Sequence, residues 1–355
     1  MSPAAPSRPI RVLVVDDSAP HRRALATMLA AGEGVEVVAE AADGEEGLRE
    51  ALRARPDVIC LDLAMPRMDG FTFLRLLMAR QPTPVIVLSS FNRKADVFKA
   101  LELGALDFIA KPEGGPGRLS RIRAELLQKV RTVRALRIET LERRAHDAGA
   151  GPEARPEPEA ALRVACLGAS TGGPPALQRI LTDLPGHLPM AVLVAQHMPE
   201  NFTRAFADRV ARLADFRVGE AEDGQPLQPG RAYVAPGGRH LSLEAGRPAG
   251  AAPRVRVTGP RPGERRYCPS IDLLFESAAR LLGNRVCAVV LTGMGNDGRD
   301  GLRPVREAGG LTLAESEETA VVFGMPREAV AGGQVDEVLP LDAIAARLVR
   351  FAHGR

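Results

Sequence analysis

Short apolar runs recur through the first third of the chain, and each is followed by a polar or charged residue. Arg11–Val15 ends at Asp16 and Asp17, Val35–Ala39 at Glu40, Val58–Leu61 at Asp62, Val85–Leu88 at Ser89, and Asp107–Ala110 at Lys111. Between them lie stretches with helical periodicity, at 19–31, 45–54, 71–79 and 95–103. Runs apolar throughout suit strands buried on both faces, so five strands alternating with helices predict a three-layer α/β domain with a parallel sheet. A further helix is expected from Leu119 to about Leu141.

A second series of strands is expected at 164–168, 190–195, 216–218, 232–235, 286–291 and 311–314, with helices at 176–184, 201–211, 271–282 and 302–308. The stretch 219–269 is rich in Gly, Pro and Arg and reads as loops and short hairpins. From His146 to Ala160 there is no apolar period and there are three prolines, which reads as a linker. The organisation expected is 1–9 as a disordered start, 10–130 as one domain, 131–161 as helical extension and linker, and 162–355 as a second domain. The second is again a three-layer α/β unit with a mainly parallel sheet.

Several function classes are disfavoured by composition. The 355 residues carry 47 Lys and Arg against 44 Asp and Glu, and that near balance argues against a dedicated nucleic-acid binder. No apolar run reaches membrane-spanning length, so no direct membrane insertion is expected. The first residues lack the apolar stretch of a secretion signal, which favours a cytoplasmic location. Cys60, Cys166 and Cys287 fall in or at the end of apolar runs and read as reduced core residues.

Ligands in open α/β sheets bind at the carboxyl ends of the strands. There the first domain is expected to gather Asp16, Asp17 and Asp62, with Ser89 and Lys111. Three carboxylates repel unless a divalent cation joins them, and Mg²⁺ suits an all-oxygen set. A carboxylate can attack phosphorus, with the hydroxyl and the ammonium holding the new phosphoryl oxygens. In the second domain Ser170 lies in Gly168-Ala-Ser-Thr-Gly172, after an apolar run and before a helix. Such a bend presents a hydroxyl that can attack a carbonyl, although a phosphate-binding turn is the competing reading. His197 follows the next strand and is a candidate base. Asp297, in the loop after 286–291, is a candidate orienting acid; a helix cap there, or Asp300 in its place, is the alternative.

Residues 10–130 resemble a response-regulator receiver domain. The resemblance rests on Asp16-Asp17, Leu61-Asp62, Met65-Pro-Arg-Met-Asp-Gly70, Ser89 and Lys111-Pro112. It implies Asp62 as phosphoacceptor, with Mg²⁺ held by Asp16, Asp17, Asp62 and the Ala64 backbone carbonyl. It also implies Ser89 and Lys111 as phosphoryl sensors, Phe108 as the aromatic switch, and a histidine kinase as donor. Residues 162–350 resemble the catalytic domain of protein-glutamate methylesterases. The matching motifs are Gly168-Ala-Ser-Thr-Gly-Gly-Pro174, Gln196-His-Met-Pro199, Ala235-Pro-Gly-Gly-Arg-His240, Leu291-Thr-Gly-Met-Gly-Asn-Asp-Gly298 and Val322-Phe-Gly-Met-Pro-Arg-Glu-Ala329.

By that resemblance Ser170 is the nucleophile, His197 the base and Asp297 its orienting acid. Thr171 lies by the site, the Met294 amide donates to the oxyanion, and His240 lines the neighbourhood. The implied function is a phosphorylation-regulated serine esterase of chemotaxis adaptation. It hydrolyses glutamate γ-methyl esters on the cytoplasmic helices of methyl-accepting chemoreceptors, with receptor glutamine deamidation as a companion activity. The hydrolysis itself is expected to need no cofactor. The unphosphorylated receiver is expected to restrain the esterase. A different serine hydrolase and a nonenzymatic phosphorylation-controlled module are the rival readings.

Four departures from the family pattern stand out. Ala64 replaces the usual Glu of the two-domain family, and Ser90-Phe-Asn-Arg-Lys94 replaces a Ser-Leu-Thr start. Cys268 stands in place of Arg, and Ala314-Glu-Ser-Glu-Glu318 in place of an Ala-Gln-Asp start. The last two are expected to bear on substrate contacts.

Overall fold

The structure is a computed structural model that describes residues 8–90, 94–112, 116–133, 162–248, 251–260 and 267–354. The chain divides into two compact units, Met1–Asp147 and Ala148–Arg355. The expected disordered start and the linker of 131–161 lie largely outside the described residues. So do 91–93 of the Ser90–Lys94 departure.

The first unit alternates β1 (Ile10–Val15), α1 (Ala19–Ala30), β2 (Val35–Ala41), α2 (Gly44–Ala54), β3 (Val58–Asp62), α3 (Gly70–Arg80), β4 (Val85–Ser90), α4 (Lys94–Glu102), β5 (Asp107–Lys111) and α5 (Arg123–Thr132). Its sheet has the order β2-β1-β3-β4-β5, parallel throughout. β1, β3 and β4 are buried along nearly their whole length, so helices must cover both faces. The chain leaves β1 toward one side of the sheet and β3 toward the other. The crevice between their carboxyl ends is therefore open to a ligand. The helix expected from Leu119 begins later, with a 3₁₀ turn at Pro116–Ile122 ahead of α5, and its expected part from 134 lies outside the described residues.

The second unit runs β6 (Arg163–Ala169), α6 (Gly173–Asp183), β7 (Met190–Gln196), α7 (Phe202–Ala211), β8 (Arg217–Glu220), β9 (Arg231–Val234), β10 (His240–Glu244), β11 (Arg254–Thr258), α8 (Ile271–Leu282), β12 (Val286–Val290), α9 (Arg299–Glu307), β13 (Leu311–Glu315), α10 (Met325–Ala331), β14 (Glu337–Leu339) and α11 (Leu341–Ala352). Its main sheet has the order β14-β13-β12-β6-β7-β9-β8 and is parallel throughout. β10 and β11 form a separate antiparallel hairpin in the Gly- and Pro-rich stretch.

Two differences from the sequence expectation matter. Helix α6 starts at Gly173, three residues early, because Pro174 and Pro175 fit a first helical turn whose N–H groups are unpaired anyway. Elements α10, β14 and α11 were not expected. β14 has only three residues, too few to show a period. Cys60, Cys166 and Cys287 are buried free thiols, and burial pushes the Cys60 thiol up to about 12.

Candidate active sites at two sheet edges

In the first unit the ends of β1 and β3 bring Asp16, Asp17 and Asp62 together, with carboxylate oxygens within 4.8 Å of one another. Asp16 is fully buried and Asp17 exposed. Asp16 Oδ1 accepts from the Ser18 N–H at 2.9 Å. The Lys111 ammonium, at the end of β5, lies 2.8 Å from Asp16 Oδ2 and 3.2 Å from Asp62 Oδ1. Burial raises the Asp62 carboxyl above its ordinary value, Lys111 opposes that, and the Asp16 charge adds to it. The remaining bond to Asp62 Oδ1 is the Leu63 N–H at 2.9 Å.

Ser89, at the end of β4, is buried, and its hydroxyl has no partner among the described residues. Phe108 is buried edge-on to Phe98, with ring centroids 6.5 Å apart, and the Lys129 ammonium lies 5.9 Å from its ring. Ala64 is half-buried in the loop after β3.

In the second unit strand register brings the serine and the imidazole to one edge. Ala169 of β6 pairs with Gln196 of β7, so Ser170 and His197 are the next residues along. The His197 N–H donates to the Ala169 carbonyl at 3.0 Å. Gly172 turns the chain from Ser170 into α6 with φ of +75°, a conformation that costs a side-chain-bearing residue energy. The imidazole Nε2 donates to Asp297 Oδ2 at 2.9 Å. That leaves Nδ1 as the ring nitrogen available to Ser170. The usual triad arrangement has the carboxylate on Nδ1, and here it meets Nε2 instead. No hydrogen bond joins Ser170 Oγ to His197 among the described residues; such contacts tighten when substrate binds.

Asp297 is almost fully buried and bound on both oxygens. Oδ2 also accepts from the Ile271 N–H at 2.9 Å, and Oδ1 accepts from the Asp272 N–H at 3.0 Å and the Ser270 hydroxyl at 3.3 Å. Burial alone would raise this carboxyl. The hydrogen bond and charge of His197, with the two amides, outweigh burial and hold it below the ordinary carboxylate value. Asp297 does cap a helix, but the cap is on α8, not on α9 that follows it. Asp272, in the first turn of α8, returns the favour: its Oδ1 accepts from the Gly298 and Gly301 N–H groups at the start of α9, at 3.0 and 2.7 Å. The two helices exchange caps, which locks the loop carrying Asp297. The alternative carboxylate, Asp300, is exposed and paired with Arg299.

Two buried side chains that were not singled out as site residues hold the bends together. The Gln196 amide donates to the Ser170 carbonyl at 2.8 Å and to the His197 carbonyl at 3.1 Å. Thr292, fully buried, takes the Ser170 N–H on its carbonyl at 3.0 Å. Its hydroxyl donates to the Thr171 carbonyl and accepts from the Val322 N–H, both at 2.9 Å. Next to it a Cβ on Gly293 would lie 2.7 Å from Ser170 Cβ, so only glycine lets the Met294 loop approach the serine this closely. Thr171 is buried, and Met294 is half-buried beyond Gly293. His240 is buried, with Nδ1 accepting from the Ser270 N–H at 3.1 Å.

The Glu315 departure proves internal. Glu315 is fully buried and accepts the Thr292 N–H at 2.8 Å, so it supports the serine bend and is not a substrate contact. A third neighbour is Tyr267, whose ring stacks on His197 with centroids 4.7 Å apart and planes 12° from parallel. Both Gln196 and Thr292 sit inside recognisable motifs. Their roles depend on bonds to carbonyls of other segments, which spacing in sequence does not reveal.

A doubly wound domain with an acidic strand-edge cluster, joined to a parallel-sheet domain with a serine and an imidazole–carboxylate pair, defines a two-domain signalling hydrolase. Residues 165–348 match the CheB methylesterase family, residues 12–122 match the response regulator receiver domain, and the chain belongs to the CheB methylesterase family. It is 62% identical to a protein-glutamate methylesterase/protein-glutamine glutaminase of Anaeromyxobacter dehalogenans, covering 99% of this chain and 98% of that one. It is 47% identical to a protein of the same description from Geobacter sulfurreducens, covering 97% of each. The second unit is similar to the crystal structure of the Thermotoga maritima CheB methylesterase catalytic domain. That match has a TM-score of 0.51 and 37% identity, and covers 54% of this chain and 99% of the other.

Proposed function

We propose that this chain removes methyl groups from glutamate γ-methyl esters on the cytoplasmic helices of chemoreceptors, under control of phosphorylation at Asp62. The observation that carries it is the His197–Asp297 hydrogen bond at the strand edge that also ends in Ser170. His197 takes the Ser170 proton on Nδ1 while Asp297 stabilises the positive ring. Ser170 Oγ bonds to the ester carbon, and the carbonyl electron pair moves to oxygen. In this reading the Met294 amide donates to that oxygen, with Thr171 beside the site. When the intermediate collapses, the methoxy oxygen takes the proton from His197 and leaves as methanol. A water molecule, deprotonated by His197, then cleaves the acyl-serine and restores glutamate. With receptor glutamine, ammonia leaves in place of methanol.

The first unit serves as the receiver. Asp62 accepts a phosphoryl group from a chemotaxis-type histidine kinase, Ser89 and Lys111 hold its oxygens, and Phe108 carries the aromatic switch position. The convergent oxygens of Asp16, Asp17 and Asp62 fit a hard divalent cation, and the Lys111 ammonium already bridges two of them. Mg²⁺ would be held there with the Ala64 backbone carbonyl. When bound, it neutralises charge on the carboxylates and on the incoming phosphoryl oxygens. We assign residues 10–130 to the receiver, 131–161 to a joint and 162–355 to the esterase. Among the described residues no helix is long and apolar enough to cross a membrane. A cytoplasmic location follows from the proposed substrate, the cytoplasmic helices of chemoreceptors.

Methanol release from methylated receptor, with and without a small-molecule phosphodonor, tests the proposal. Wild type should respond to the donor, S170A should release no methanol, and D62A should lose the donor response. Methanol release by S170A at the wild-type rate would overturn the nucleophile assignment. A persistent donor response in D62A would overturn the phosphoacceptor assignment.

A further inference from the structure

We infer that Tyr267 is a positioning residue of the esterase: its ring, stacked face to face on His197, steadies the imidazole and stabilises the imidazolium formed when Ser170 loses its proton. The inference rests on the reading of Ser170 and His197 as nucleophile and base. The hydrogen bond to Asp297 fixes the imidazole within its own plane but leaves rotation about that bond free. A parallel ring at 4.7 Å removes this freedom. One short segment supplies both constraints. Ser270, Ile271 and Asp272 donate to Asp297, and Tyr267, three residues before Ser270, covers the imidazole.

Electrostatics adds to geometry. The aromatic face is the negative part of its quadrupole, and a cation within about 6 Å of the ring centroid is attracted to it. The neutral imidazole gains little from this face and the imidazolium gains more, so the contact favours the proton-bearing state. Tyr267 is 38% exposed, so burial in the core does not hold it there. Its hydroxyl lies beside Gly295, where a Cβ would be 2.7 Å away. The ring therefore reaches from the base to the loop that carries Met294.

Among the described residues the charged group against His197 is Asp297, with Asp272 behind it on α8, Asp300 exposed on α9, and His240 reached through Ser270. These carboxylates and Ser170 remain in every Tyr267 variant. The test is the rate at which a fluorophosphonate labels the full chain between pH 5 and 9, a readout of Ser170 nucleophilicity that needs no receptor. Leucine keeps apolar cover over the imidazole but has no quadrupole. Y267L should lower the plateau rate about 2- to 5-fold and move the acid limb to lower pH by about 0.5 unit. Y267F should restore most of both. A loss of packing alone would lower the rate without moving the limb. Overlapping profiles for Y267L and wild type would overturn the inference, and so would equal shifts in Y267L and Y267F, which would assign the effect to the hydroxyl. Absence of labelling in wild type as in S170A would instead bring down the nucleophile assignment itself.

Discussion

Asp62, the last residue of β3, and Asp297, in the loop beyond β12, are both largely buried carboxylates, yet their surroundings push them in opposite directions. Asp297 receives four donors: the imidazole, two amides of α8 and the Ser270 hydroxyl. Its carboxyl is held low. Asp62 has one amide and a share of one lysine, faces a second buried carboxylate, and its carboxyl is raised. A group that only orients a neighbour is best fully satisfied, because its charge must stay put. A group that forms a bond to phosphorus needs lone pairs left open. On the roles proposed for them, the number of donors on each carboxylate separates the orienting acid from the reactive one.

The comparison is broken most directly at Asp297. In D297N, whichever oxygen becomes the NH₂ group, two donors face a donor. The imidazole loses its fixed tautomer, and turnover should fall on the order of 10³- to 10⁴-fold in a methanol-release assay. A loss below 10-fold would mean that Asp297 does not orient the base. Gln196 gives a smaller effect. Q196M keeps the volume but takes one of two donors from the Ser170 carbonyl, which retains the Gly173 N–H, and removes the Gln196 donor from the His197 carbonyl, a part-buried acceptor whose loss of a partner costs about 1–3 kcal/mol. Fluorophosphonate labelling should slow about 10- to 100-fold, with melting lowered as well. A wild-type labelling rate would show that the two bends hold their places without it.

Much of this was legible in the sequence for a physical reason. In a parallel sheet each strand delivers its next residue to one edge, so Asp16, Asp62, Ser170 and His197 could be placed by finding where apolar runs stop. Asp297 was less accessible. It stands seven residues beyond Val290, and only the exchange of caps between α8 and α9 brings it under His197. Asp300 has the same local sequence credentials but points to solvent and Arg299. The polar substitution at Glu315 misled in the other direction: a charged residue at a strand end suggests a surface contact, whereas this one is consumed by the Thr292 amide. Tertiary bonds to backbone carbonyls and amides leave no period and no spacing to read.

The smallest expected effect sharpens the contrast within the second unit, between Asp297 and its neighbour Asp272. Burial raises the Asp272 carboxyl to about 6, the Gly301 amide opposes this, and the charges of Asp297 and Asp300 add to it. The signs then differ. Asp297, lowered on folding, contributes stability that is present above the ordinary carboxyl value and lost as pH falls through its lowered one. Asp272, raised on folding, makes the folded state less stable as pH rises from the ordinary value to about 6. Asparagine at 272 keeps an oxygen for the Gly298 and Gly301 amides and removes the repulsion toward Asp297. D272N should therefore melt higher than wild type at pH 7.5, by on the order of 2 °C, with the gain fading toward pH 4.5. A lower melting temperature for D272N at pH 7.5 would mean that the charge at the start of α9 stabilises that helix more than it repels Asp297.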